Sequence, residues 1–205
     1  MSSSDTPLLL FQPFNVVVFL SFYSPIILAI SVVGLSFVFQ NFKGFIYLGF
    51  LLGCCFMREY IYKMAGSTNI NHATGDICTS IQYSKYGNAS FSAFVFAFTI
   101  VYLCLPMFSN DAANFWVFTV LIVYFLMDMF LKTYKNCITN RGDLLLNVLV
   151  GMGVSASLVS LMYAGGSSKY LFFNEVSSNK ETCSQPKEQT FKCRFYKDGM
   201  LVGDV

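Results

Sequence analysis

Five apolar runs, each about long enough to cross a bilayer, occupy residues 14–163, and a charged tail follows them. A hydrocarbon core of ~30 Å needs roughly 20 apolar helical residues. Inside it only helices and closed barrels satisfy the backbone. The expected fold class is therefore an all-α integral membrane protein, a bundle of about five transmembrane helices with a small β-rich C-terminal tail. Composition agrees: 55% of residues are hydrophobic and 12% charged, against about 25% charged in a soluble domain. Between Phe14 and Phe56 the only charged residue is Lys43, whereas the last 37 residues hold 11 of the 24 charges. A net charge of +2 gives no support for a nucleic-acid partner.

Residues 1–13 form a polar or interfacial segment. The first run is too long for the apolar stretch of a signal peptide and has no basic residues before it, so it reads as a retained span. The expected spans are 14–40, 42–57, 89–108, 112–131 and 144–163. Pro25 breaks the first, which leaves either a kink or a half-helix lying at the interface. Residues 58–88 form a loop rich in Asn, Ser, Thr and Gly. The turn at Ser109–Asp111 is short, which makes the third and fourth spans antiparallel neighbours. A basic loop covers 132–143.

Small residues recur at helix-packing spacing: Gly49 and Gly53 in the second span, and Gly151, Gly153, Ser155 and Ser157 in the fifth. Small side chains let helix backbones approach closely, and packing within the chain is the expected use. Residues 164–205 are a polar tail. Thr190–Tyr196 alternates with period two and meets Asp198-Gly199, a hairpin turn signal, before Met200–Val202.

Seven cysteines divide by place. Cys54, Cys55 and Cys104 lie in apolar runs, where a thiol acts as a small hydrophobe. Cys78 and Cys137 fall in loops. Cys183 and Cys193 sit ten apart in the tail and are the expected disulfide if that side is oxidising. No metal-ligand spacing exists and His72 is the only histidine, so neither metal nor cofactor is expected.

Gly87-Asn88-Ala89-Ser90, opening an apolar run, resembles the Pro-Ser-Gly-His signature of the phosphatidic-acid-phosphatase type 2 superfamily, integral membrane enzymes that dephosphorylate lipids. Asp143-Leu-Leu-Leu-Asn147-Val-Leu-Val-Gly151 is similar to that family's last motif, in which His and, four residues on, Asp precede a Gly-rich helix. Arg58 or Lys63 stands where the first motif places a basic residue. The resemblance implies two histidines and an orienting Asp, but this chain carries Asn88, Asp143 and Asn147 at those positions. An amide is neither nucleophile nor base at neutral pH, and Asp143 adds negative charge where a phosphate must sit. The resemblance therefore implies a scaffold whose catalysis is lost, with no catalytic residue.

The tail from Cys183 to Gly199 is similar to C-terminal segments of membrane-embedded minor structural proteins of large icosahedral DNA viruses. That likeness implies a non-enzymatic role, tying a virion's internal membrane to its capsid shell. Residues 164–205 would then contact capsid or other membrane proteins. Phe- and Tyr-rich helix surfaces would face the lipid bilayer or packed copies of the chain. The rival reading is a lipid phosphatase, or a lipid-binding protein acting on phospholipid head groups; a transporter or channel comes third.

Two charged pairs have plainer readings. Asp128 and Lys132 are expected as an interfacial i,i+4 pair, and Arg58-Glu59 as an interfacial anchor. Arg141-Gly142-Asp143 spells an integrin tripeptide by chance, and the sequon at Asn88 abuts a span. Orientation stays open. Arg58, Lys63, Lys85, Lys132, Lys135 and Arg141 favour the 58–88 and 132–143 loops on the cytosolic side, whereas the family resemblance implies the reverse.

Overall fold

A computed structural model describes residues 13–66, 78, 82–111, 113–138, 140–172, 194–197 and 200–204. Six α-helices are found among the described residues. They are α1 (Pro13–Phe22), α2 (Ser24–Val38), α3 (Lys43–Met64), α4 (Asn88–Ser109), α5 (Phe115–Tyr134) and α6 (Arg141–Ala164). A 3-10 turn at Ser168–Tyr170 follows. Arg194–Lys197 (β1) and Met200–Asp204 (β2) pair antiparallel, with Lys197 opposite Met200.

Four of the helices, α3 to α6, are long and apolar enough to cross a membrane. The first run is bent by 76° between α1 and α2. Pro25 sits in the first turn of α2, where a missing N–H is tolerated but continuation of a preceding helix is not. The expected interruption therefore falls at Tyr23, and α1 turns to pack on α5.

Local chemistry sets the other helix ends. Asn114 and Asn140 cap α5 and α6: Asn114 Oδ1 accepts from the Trp116 and Val117 amides, and Asn140 Oδ1 from Gly142 N. Capping at Asn140 starts α6 three residues before the expected Leu144, so Asp143 and Asn147 lie one turn apart on one face. Helix α3 runs on to Met64, past the expected end at Met57, because Arg58 and Glu59 are good helix formers and Arg58 is buried by partners. It ends at Gly66, whose φ of +66° suits a glycine.

Helix α4 is the central element. Residues from Ala89 to Thr99 are almost all buried, with Phe94, Phe96 and Phe98 fully enclosed. Helix α6 packs most extensively against it, and α5 and α2 also contact it. Helix α3 packs on α2 and stands further from α4, with the Tyr47 ring filling the space between them. The Tyr47 hydroxyl lies 2.7 Å from Thr99 Oγ1. On the outer faces, Phe56, Met57, Trp116, Val120, Phe130 and Leu145 are exposed. An apolar surface this continuous suits a lipid environment, and the described helices are compatible with a multi-pass membrane protein.

The close approaches expected at small residues are made in part. At Gly151 an added Cβ would stand 2.7 Å from the Phe94 carbonyl oxygen, so α6 seats directly on the α4 backbone. Ser155, one turn on, is fully buried. Gly49, Gly53 and Gly153 differ from expectation: nothing described lies within 4 Å of a Cβ built at any of them. Ser157 is exposed and bonds its own helix at Gly153 O. The reason is that α3 leans on α2 rather than on α6. Its tight contact is made at Gly44, where a Cβ would meet Ser36 Oγ at 2.4 Å and Val32 O at 2.6 Å.

Candidate functional site

Two buried polar centres lie at the end of the bundle where α3 finishes and α4 and α6 begin. The first joins α3, α4 and α6. Arg58 Nε donates to Asn147 Oδ1 over 2.7 Å, and Arg58 Nη1 pairs with Glu59 at 2.9 Å. Ser84 receives a hydrogen bond from Arg58 Nη1 and donates in turn to Glu59. Asn147 Nδ2 donates to the Tyr62 hydroxyl and to Asp143 O. The Tyr62 hydroxyl donates to Asp143 Oδ1 at 2.5 Å, and Ser90 Oγ donates to Asp143 Oδ2 at 2.6 Å. The Arg58 guanidinium also sits 4.7 Å from the Tyr62 ring centre and 5.6 Å from that of Phe91, within cation–π range.

Four residues singled out in the sequence take defined places here. Arg58, Asp143 and Asn147 fall in one network, and the Arg58 side chain is enclosed by protein. Asn88 does something else. Its Oδ1 accepts from the Tyr83 and Ser84 amides and its Nδ2 donates to Cys78 O, so it braces the incoming loop. Gly87 precedes it at φ +110°, a conformation that a side chain would strain. Lys63 is exposed and outside the network. His72, Cys183 and Cys193 lie outside the described residues.

Sequence reasoning missed Tyr62, Ser84 and Ser90. Tyr62 lies four residues after Arg58, a spacing that puts both on one helix face. Ser90 lies two residues into the α4 motif. It also missed the disulfide between Cys78 and Cys137, which ties the two loops together across a separation of 59 residues.

Under those loops, between Gly87, Ser90, Cys137 and Asp143, is a cavity of about 20 Å³. A single water needs on the order of 10–15 Å³ by this measure. The space therefore suits one water, while Arg58, Tyr62, Asp143 and Asn147 also line a much larger groove between α3 and α6.

No family model, curated protein or solved structure matches the chain. What the site can do therefore rests on its own geometry.

The second centre surrounds Asp128, which has no exposed surface. Its Oδ1 accepts from Ser21 and Ser24, each at 2.9 Å, and its Oδ2 from Ser92 at 2.7 Å and Lys132 Nζ at 2.8 Å. The i,i+4 pair is as expected, and it is enclosed by α1, α2 and α4. The break at Tyr23 makes this possible, because it delivers Ser21 and Ser24 to the same oxygen. Nearby, Tyr124 and Tyr83 donate to the Leu20 and Phe22 carbonyls, both freed by that break. Burial raises the pKa of the Tyr83 phenol, and the neighbouring Tyr23 and the Asp128 carboxylate add to the effect. Among the described residues no group of three metal-ligating side chains occurs.

Proposed function

We propose that this chain is a non-enzymatic, multi-pass structural protein of a membrane, built on a lipid-phosphatase-like framework without its chemistry. The carrying observation is the state of the motif positions. Where the resemblance implies two histidines and an orienting Asp, the chain has two amides and a carboxylate already satisfied by Tyr62 and Ser90. The surrounding charges point the same way: Arg58 is opposed by Glu59 and Asp143. A phosphate monoester would bring a further charge of about −1.5 to −2. Asn88 is held by loop backbone and supplies neither nucleophile nor acid.

The Cys78–Cys137 bond bears on orientation. Disulfides persist on oxidising sides of membranes. That supports placing the 58–88 and 132–143 loops away from the cytosol, and the tail beyond α6 on the cytosolic face. The basic count runs the other way, but two of its members, Arg58 and Lys132, are buried against acids. A cytosolic tail of residues 164–205 can meet a shell assembling there. With its likeness to virion membrane proteins, this favours an anchor between an internal virion membrane and a capsid.

The test of the non-enzymatic part is phosphate release from phosphatidic acid in mixed micelles. The purified protein is expected to release no more than a detergent blank. Release that disappears in an Asp143→Ala variant would overturn the reading.

A further inference from the structure

Between α3 and α6 lies a half-open groove of about 670 Å³ with Phe94 of α4 as its floor. It exists because α3 and α6 lean on other helices, and because Gly49 and Gly53 leave part of the α3 wall bare. Val150 and Val154 form the facing wall, and Arg58 closes the polar end. Arg58 is 5% exposed, and its Nη2 is the one buried donor of its network that lacks an acceptor among the described residues.

We infer that this groove holds one acyl chain of an ester-linked membrane lipid, with the ester end of the lipid lying at Arg58. The volume lies within the roughly 300–1,000 Å³ typical of small-molecule sites. A helix from a second copy is too large: a cylinder ~10 Å across and ~24 Å long occupies on the order of 1,900 Å³. Depth also fits. Arg58 stands six residues before Met64, about 9 Å along the axis from the helix end, near the boundary between hydrocarbon and headgroups. A neutral ester end brings no further charge beside Glu59 and Asp143. The lipid is thus held, with no bond made or broken.

This inference rests on the membrane placement proposed above but not on the anchor role, so either can fail alone. The test counts ester lipids retained per chain when the full-length protein is purified in mild detergent, by native mass spectrometry and by extraction. Wild type is expected to keep one glycerolipid per chain. Gly53→Leu and Val154→Phe fill the groove from opposite walls, and each is expected to lower retention roughly tenfold. Val120→Leu, on the outer face of α5, is expected to leave it unchanged. Leu is a better helix former than Gly, and a melting point checks that each variant is folded. No stoichiometric lipid on wild type, or unchanged retention in both folded groove variants, would overturn the inference. So would a wild-type dimer that the groove variants dissociate.

Discussion

Ser90 and Ser92 stand two residues apart on α4 and donate to different carboxylates, Ser90 to Asp143 and Ser92 to Asp128. Two residues on an α-helix are about 200° apart, so the first turn of α4 faces both polar centres at once. One helix start thereby joins α6 on one side to α5, α1 and α2 on the other. This is how a bundle of mostly apolar helices fixes its register: van der Waals packing is permissive, while a buried carboxylate with several donors accepts one arrangement.

Asp128 is the most exacting of these contacts. Asp128→Ala leaves the Lys132 ammonium buried without its acid, and breaking a buried pair from one side costs about 3–5 kcal/mol. The expected result is a large drop in detergent melting temperature, partly restored when Lys132→Met is added. A single variant as stable as wild type would show that the pair does not organise the bundle.

Asn147→Ala removes the acceptor of Arg58 Nε and the donor to Tyr62. Unsatisfied buried groups cost roughly 1–3 kcal/mol each, so a clear destabilisation is expected by thermal or urea unfolding. Asn88→Ala is expected to act differently. It frees the Tyr83 and Ser84 amides, so faster hydrogen exchange should appear there with little change in α6.

The glycines separate by position. Gly151→Ala drives a methyl against the Phe94 carbonyl and Ala97, and overpacking of this kind typically costs about 1–3 kcal/mol. Gly49→Ala meets open space and is expected to be neutral or slightly stabilising. Equal effects of the two on the melting temperature would contradict the seating of α6 on α4.

Cysteine counting tests both the disulfide and the orientation. Of seven cysteines, five should react with a maleimide in SDS before reduction, and Cys78 and Cys137 only afterwards. If Cys183 and Cys193 are protected as well, the tail faces an oxidising side and the proposed orientation is wrong.

Much of the bundle was legible in the sequence because apolar runs and end signals act locally. The interruption near Pro25 and the antiparallel neighbours joined at Ser109–Asp111 came from such signals. The helix starts at Asn114 and Asn140 were missed by a few residues because hydropathy alone does not see a cap. Arg58, Asp143 and Asn147 were picked from motif spacing, yet their partners Tyr62 and Ser84 were not. A tyrosine or serine at a helix end carries no mark of the carboxylate or guanidinium it will meet. The enclosure of Asp128 was hidden because its serine donors come from α1, α2 and α4, up to 107 residues away. The disulfide was equally hidden, since pairing between two loops depends on α4, α5 and α6 bringing their ends together. Gly49 and Gly53 show the opposite failure: the spacing was read correctly, but no described helix occupies that face.

The most direct test of the anchor account is cross-linking mass spectrometry on native membranes or particles, reading the neighbours of Lys180, Lys187, Lys192 and Lys197. Cross-links from these lysines to a coat or shell protein are the expected result. Tail lysines that join only to this chain, with no shell protein captured under conditions that cross-link other membrane partners, would contradict it.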